Sequence, residues 1–485
     1  MPYFNANNKV LKRPGQFIVT DINIIPYHRK NGEEGIFRQI ITNQVIAFNI
    51  YESIENNFLS GDISIVDGVN LLNILPLTGF ERLEFKLYTP GEQKGYDFSV
   101  KTGHPMIITG IRSKAMLKDR IQSYTLEFCS LERVKNDLTK VSRSFSGTTD
   151  SFVLDICRSE LDTRKNLILE ETKSVVKYVA PRKSPMECIR EVGDLSESKN
   201  FENAGYMFYE TGLGFHFKSY ESMFCQSNGA ARRVRARYSP KVVAQRDDRG
   251  NRDIINALQS ASSFKVIHQF NTLRHLNFGT FCSKMIVHDS FNKTFDELEF
   301  DYHKQYEKEY HLETDAENGK RNDNGVVPFF NFSKGKTISD FKEGKIHYQS
   351  STDKVHNDYD FLGRNSNILQ KRISQKAALS SIVLELELPG FTGISVGEVV
   401  YFTHPSFKSI KNPHEQDFDP YLTGRYLISS IMHTVDLKIN KRHSMTVELI
   451  KDSFNKSLPE DNIDLFTGQE NDEGASYLQY SLDEA

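Results

Sequence analysis

No apolar run in this chain of 485 residues approaches the ~20 that a helix needs to cross a bilayer. The opening residues, Met1-Pro-Tyr-Phe-Asn5, lack the basic and apolar regions of a secretory signal, so the protein is expected to be soluble and made in a cytoplasm. Cysteine is sparse. The five present, Cys129, Cys157, Cys188, Cys225 and Cys282, are odd in number and widely spaced, and none forms a C-x-x-C pair. Structural zinc wants clustered thiolates or imidazoles, and no such cluster stands in the sequence, so the thiols read as buried and reduced. Charge of one sign is not in excess either. A net charge of −3 gives no general reason to expect a nucleic acid or an anionic membrane as partner. Neither a metal nor a cofactor is implied. Asn292-Lys-Thr294 and Asn455-Lys-Ser457 match the glycosylation pattern, which carries no weight without a secretory signal.

Aromatic residues are plentiful, 34 Phe and 21 Tyr, and ringed side chains suit half-buried pleated surfaces. The length points to about two to four domains. In the first third, period-two alternation marks strands with one buried face. Ile63 and Ile65 alternate with Asp62 and Ser64, and Leu83, Phe85 and Leu87 with Arg82, Glu84 and Lys86. Tyr124, Leu126 and Phe128 do the same against Ser123, Thr125 and Glu127. Turn residues at Ser60-Gly61, Pro76 to Gly79, Pro90-Gly91 and Gly103 to Pro105 separate these runs, and the block predicts a barrel or sandwich.

Near Ser146 the pattern changes. Thr149 or Asp150 is placed to cap a helix whose apolar face carries Phe152, Val153, Ile156, Cys157 and Leu161. Ser184-Pro-Met-Glu187 predicts a second helix with a capping box and proline at its first position, ending near Gly193. Two aromatic runs, Gly205 to Glu210 and Phe215 to Lys218, flank Thr211-Gly-Leu-Gly214, a hairpin signature. Strand patterns return over 226–300, including Phe264 to His268 and Cys282 to Val287. The stretch 301–365 is polar and poor in periodicity, and reads as an inserted or partly disordered arm. A helix is expected from Ser366 to Leu379, then strands at Val383–Leu388, Glu398–Phe402, Arg425–Met432 and His443–Ile450. Residues 456–485 are acidic with only scattered apolar side chains, cannot fold alone, and read as a tail.

The motifs with chemical potential do not carry it here. Gly393-Ile-Ser395-Val-Gly397 fits the G-x-S-x-G pattern, but a nucleophile elbow needs a strand before and a helix after. A Pro-Gly turn precedes this one and a strand follows, so Ser395 reads as a turn residue. His288-Asp289-Ser290 places triad residue types side by side, and neighbours on a strand point to opposite faces. No carboxylate pair stands in a glycosidase context. Arg232-Arg233-Val-Arg235-Ala-Arg237 is the one compact basic cluster and reads as a strand edge or protein interface, since a nucleic-acid groove would need more basic and aromatic surface. No catalytic, cofactor-binding or metal residue is assigned.

The order of elements is more telling. Residues 58–90 read Phe58-Leu-Ser-Gly-Asp-Ile-Ser-Ile-Val-Asp-Gly68, then Leu71-Leu72, Pro76-Leu-Thr-Gly79 and Glu81-Arg-Leu-Glu-Phe85. This resembles the opening barrel of phage tail hub proteins. Gly397-Glu-Val-Val-Tyr-Phe402, Leu422-Thr-Gly-Arg-Tyr-Leu-Ile428, His433 and Met445-Thr-Val-Glu-Leu449 resemble the closing barrel. Between them, Ser184 to Phe217 is similar to the helix-plus-hairpin element of VgrG-type spike proteins, which share the hub fold. The polar stretch 301–365 has no counterpart in that pattern.

The resemblance, to the central hub of a contractile-tailed phage baseplate, implies a mainly β fold with an α+β insertion. Two tube-protein-like antiparallel β-barrels, one over 1–145 and one from 226–260 with 370–455, would flank a peripheral α+β domain. That domain would hold 146–225 and, with the polar insert, 261–369, and 456–485 would be an extended tail. It also implies a non-enzymatic homotrimer, a pseudo-six-fold ring joining the six-fold tail tube protein to the three-fold central spike protein. Baseplate wedge proteins and the tape-measure protein are the other implied partners, with DNA only in passage through the lumen and no membrane anchor. The implied location is the tail baseplate of the virion, built from a late protein in the host cytoplasm. The alternatives are a tail-associated cell-wall hydrolase and the hub of a bacterial contractile injection system.

Overall fold

The structure is a computed structural model, and it describes residues 11–26, 37–102, 104–173, 175–201, 203, 205–240, 254–289, 293–306, 308–313, 336–350, 366–406, 418–419 and 421–454. Strands used below are, in chain order, β1 (Val45–Ser53), β2 (Ser60–Asp67), β3 (Met106–Lys118) and β4 (Ile121–Ser130). The hairpin strands β5 (Tyr206–Thr211) and β6 (Gly214–Ser219) come next, then β7 (Ser263–His268) and β8 (Ile382–Pro389). The last are β9 (Val399–Phe402), β10 (Gly424–Asp436) and β11 (Arg442–Lys451). The helices are α1 (Thr149–Asp155), α2 (Pro185–Asp194), α3 (Thr272–Phe278) and α4 (Ser366–Leu379). The fold is mainly β.

Eight strands stand side by side in one sheet as β7–β8–β11–β10–β1–β2–β4–β3, each antiparallel to its neighbours. The order contains a repeat. β1, β2, β3 and β4 lie as first, second, fourth, third, and so do β7, β8, β10 and β11. The short strand Arg82–Glu84 pairs with the start of β3, and β9 pairs with the start of β10 in the corresponding place. Alternation sets the faces as the sequence predicts: β2 buries Gly61, Ile63, Ile65 and Asp67 and turns Ser60, Asp62, Ser64 and Val66 the other way. Gly61 is required by close approach, because a Cβ there would lie 2.2 Å from the Phe128 ring and 2.3 Å from the Asn49 carbonyl.

Two apolar cores back this sheet. One gathers Phe48, Ile50, Ile63, Ile65, Leu126 and Phe128, the other Leu384, Leu386, Phe402, Tyr426, Val447 and Leu449. β10 feeds both, giving Tyr426, Ile428 and Ile431 to the second and Val435 to the first. A third core lies under α1, α2 and the β5–β6 hairpin, where Tyr206 stacks on Phe217 at 4.5 Å and Phe208 on Phe215 at 5.3 Å. The predicted capping box is present: Glu187 accepts from the Ser184 backbone N–H at 2.7 Å.

Some expectations are corrected. The alternating run around Leu83, Phe85 and Leu87 is not one strand. Arg82–Glu84 joins the large sheet and Lys86–Tyr88 a separate small one, and the ladder breaks at Phe85, whose ring is held edge-on by Phe48, Phe98 and Phe128. The residue before α1 is Thr148, and Thr172 supplies the cap from outside, its hydroxyl accepting from the Thr149 N–H at 3.1 Å and donating to Asp150 at 2.6 Å. Ser263–His268, expected with the peripheral part, is instead β7 of the large sheet, its Phe264 packing against Phe402. In the polar stretch 301–365, Ile346–Ser350 pairs with Cys282–Asp289, while 314–335 and 351–365 lie outside the described residues, as does the tail 456–485.

A buried ion cluster fixes the hairpin to the end of the sheet. Lys165 Nζ lies 2.7 Å from Glu132 and 2.5 Å from Glu210, and Glu210 also accepts from Ser130 Oγ at 2.6 Å and the Leu59 N–H at 2.9 Å. Burial works to lower the Lys165 pKa, but the two carboxylates outweigh it and hold the ammonium above its ordinary value. Lys165→Met leaves two buried carboxylates face to face and is expected to cost about 3–5 kcal/mol in urea unfolding. A loss under about 1 kcal/mol would show that the cluster is not a structural tie.

Candidate assembly interface

β10 changes partner along its length. Residues Gly424–Leu427 pair with β9, a bulge follows between Ile428 and Ser430, and Ser430–Asp436 pair with Ser53–Ala47 of β1. Ile54 N–H donates to the Ser429 carbonyl at 2.9 Å at the crossover. The two four-strand runs are therefore one hydrogen-bonded surface rather than two bodies in side-chain contact.

Behind the junction sits Glu52, 2 % exposed. Its Oε1 accepts from the Tyr96 hydroxyl at 2.8 Å and the Gly212 N–H at 2.9 Å, and its Oε2 from the Val396 N–H at 3.4 Å. One side chain thus meets the first run, the turn of the β5–β6 hairpin and the loop before β9. Burial pushes its carboxyl up to about 7, against the three donors that favour the ionised form. The same loop is stitched to the segment between β2 and β3 by Thr89 and Thr392, each N–H donating to the other's hydroxyl at 3.0 Å, and by Lys94 with Glu398 at 3.1 Å. Nearby, His433 Nδ1 and His443 Nε2 lie 3.0 Å apart with both rings fully buried, and burial holds both below the ordinary histidine range.

The sheet is open at both ends. Among the described residues, β3 from Thr109 to Lys118 has β4 on one side and no strand on the other, and β7 pairs only with β8. The face away from the cores is polar, presenting Asn49, Tyr51, Asp62, Ser64, Thr125 and Thr446 among others. Tyr51 donates to Asp62 at 2.6 Å across this face.

The motifs singled out in the sequence do not converge. Ser395 lies in a turn before β9, with no helix after it. His288 stacks against Tyr348, and Ser290 is outside the described residues. The arginine cluster is largely spent on structure: Arg232 donates to the Ser222 and Cys225 carbonyls, Arg235 to the Gly393 carbonyl, and Arg237 lies over the Tyr401 ring. All five cysteines are free, four of them buried and Cys129 half-buried. Among the described residues no three His, Cys, Asp or Glu side chains gather as metal ligands, and no helix is long and apolar enough to cross a membrane. Glu52, Glu210 and Lys165 were not singled out in the sequence, where they sit as ordinary charged positions in strands and loops.

No family model and no curated protein sequence matches the chain. Among solved structures it is similar to a tail protein from Neisseria meningitidis, with 10% identity over 90% of this chain and 97% of that one and a TM-score of 0.46. It is similar to the 43 kDa tail protein of prophage MuSo2 from Shewanella oneidensis, with 10% identity, coverage of 89% and 98% and a TM-score of 0.46. A type VI secretion component of E. coli, described as similar to T4 tail proteins, gives 8% identity, coverage of 91% and 80% and a TM-score of 0.40.

Glu52 makes stability at the junction depend on pH. Its folded pKa of about 7 lies above the ordinary 4.5, so its contribution is full at low pH and is lost as pH rises through about 7. Glu52→Gln removes this titration while both forms keep every other group. The stability of the native chain relative to the variant is expected to fall by about 2–3 kcal/mol between pH 5 and pH 8 in denaturant titrations. An unchanged difference at the two pH values would show that Glu52 stays ionised throughout.

Proposed function

We propose that the chain is the structural hub of a phage tail baseplate, a homotrimeric ring that joins the six-fold tail tube to the three-fold central spike and leaves a channel for DNA. One observation supports this above the others. The two four-strand runs stand in tandem, and their junction inside one chain, β10 against β1, is the kind of junction that β3 of one copy makes with β7 of the next. Eight alternating strands leave β3 and β7 running in opposite directions, so this pairing is antiparallel like the rest. Copies joined this way make a head-to-tail contact, which closes as a ring only at a fixed number. Three copies give 3 × 8 = 24 strands and six similar units, matching six-fold symmetry on one side and three-fold on the other. An open edge as long as that of β3 is a liability in a lone chain, and ring closure removes it.

In this reading each run with its flanking strands is a tube-like barrel, and the part built on α1, α2 and the hairpin is peripheral. The polar face of the sheet lines the channel. Its cations stand beside carboxylates, Arg112 at 2.7 Å from Glu127 and Lys265 opposite Glu385, and with Asp62 and Glu448 they leave phosphates little to hold, so DNA passes without adhering. Spike, wedge and tape-measure proteins are the remaining partners, and the protein acts by binding and release rather than by catalysis.

The purified chain is expected to run as three times its own mass in native mass spectrometry, with a central opening in negative-stain images. A species that stays monomeric at high concentration, and within the particle, contradicts the ring.

A further inference from the structure

The ion cluster at the end of the sheet holds a primary amine and two carboxyl groups away from water, and the ring makes no use of their chemistry. Three elements bring them together. Glu132 stands on the short helix Leu131–Leu138 that follows β4, Lys165 precedes the strand Leu167–Leu169, and Glu210 is on β5. Glu210 shares the face of β5 that carries Tyr206 and Phe208 into the third core, so its carboxyl enters an apolar setting. The Phe215 ring centre lies 5.3 Å from Lys165 Nζ, Phe58 stands edge-on to that ring, and Met106 Sδ is 3.9 Å from Ser130 Oγ. Lys165 is 5 % exposed and both carboxylates are less so.

The oxygens have separate surroundings. Lys165 Nζ is 2.5 Å from Oε1 of Glu210 and 2.7 Å from Oε2 of Glu132. The other Glu210 oxygen, Oε2, accepts from Ser130 Oγ at 2.6 Å and from the Leu59 N–H at 2.9 Å. The other Glu132 oxygen accepts from Thr163 Oγ1 at 2.6 Å. The amine therefore faces one carboxyl whose far oxygen rests between two fixed donors, the arrangement that stabilises a tetrahedral oxyanion. A second carboxylate is held within reach of the nitrogen's protons, as a general base must be. Burial raises both carboxyls. At Glu210 it prevails, and at Glu132 the Lys165 ammonium and the Thr163 hydroxyl outweigh it and hold the group low. Glu210 is thus the better acceptor of attack and Glu132 the better base.

We propose that Lys165 and Glu210 condense to an amide cross-link within the chain, with Glu132 carrying the protons. Two protons leave Nζ by way of Glu132 and pass to Oε1 of Glu210. The nitrogen lone pair forms the bond to Cδ, and the carbonyl electrons move onto Oε2 against Ser130 and Leu59. They return as the Cδ–Oε1 bond breaks and Oε1 leaves as water. An ammonium and a carboxylate become an amide and one water, and Glu132 ends as the carboxylate it began. Burial favours the product, because a dry site penalises both ions and condensation removes them. Fixed placement supplies the orientation that a reaction between free groups lacks. The amide N–H still has Glu132 to donate to, and its oxygen keeps Ser130 and Leu59. The link closes a loop that contains α2 and locks the α+β part where it meets the sheet. It stands independently of the ring reading.

The test is the intact mass of the denatured full-length chain, freshly purified and after prolonged incubation at physiological temperature, followed by peptide mapping. The native chain is expected to be lighter than its sequence by one water, with the peptide holding Lys165 joined to the peptide holding Glu210. Lys165→Arg is expected to keep the full sequence mass, and Glu132→Gln to form the link about a hundredfold more slowly while staying folded by circular dichroism. A native chain that keeps its full mass after incubation overturns the proposal, whether or not the variants fold. So does a lost water that maps elsewhere or persists in Lys165→Arg. A link that forms at the native rate in Glu132→Gln overturns the role given to that carboxylate.

Discussion

Everything in this molecule hangs on β10 leaving one partner for another. Its first residues continue β9 and its last continue β1, with a bulge at Ser429 that lets the strand turn between them. A bulged strand twists more sharply than its neighbours, and here the twist lets Tyr426 and Ile431 point into one core and Val435 into the other. A backbone junction of this kind fixes relative position more tightly than packing does, because a one-residue slip would turn every side chain to the wrong face. Seven ladder pairs from Ser430 to Asp436 hold the register.

Several buried charges stand between parts of the chain where apolar residues would be the simpler choice. Lys165 between two glutamates, Lys451 with Glu313 at 2.7 Å, His311 with Asp452 at 2.8 Å and Glu52 under three donors all sit where separate parts of the chain meet. Such groups add little net stability, since desolvation offsets most of the attraction. What they add is a demand for geometry: a hairpin shifted by an ångström would strand Glu210 or Glu52 without its partners.

The elements built on local pattern were legible in the sequence. Alternation gave β2, β4, β8 and β11 to within a residue or two, the Ser184–Glu187 capping box gave the start of α2, and the glycine turn gave the β5–β6 hairpin. What was not legible depends on distant contacts. The break at Phe85 keeps perfect period-two alternation and is decided by three rings from elsewhere in the chain. The pairing of Ser263–His268 with β8 crosses over a hundred residues. Glu52 looks like the polar side of a strand, yet it points inward, and only the tertiary fold supplies Tyr96, Gly212 and Val396 as its donors. The motifs with the most suggestive names, G-x-S-x-G and the arginine run, proved to be a turn and a set of loop ties.

The central claim is that the junction inside the chain is repeated between chains. Electron cryomicroscopy of the purified assembly tests it most directly, at a resolution that separates strands. The account predicts a single closed wall of 24 strands, 3 × 8, with β3 of each copy hydrogen-bonded antiparallel to β7 of the next. Three separate eight-stranded sheets with β3 and β7 still open, or a two-fold pairing of β3 with β3, would contradict it.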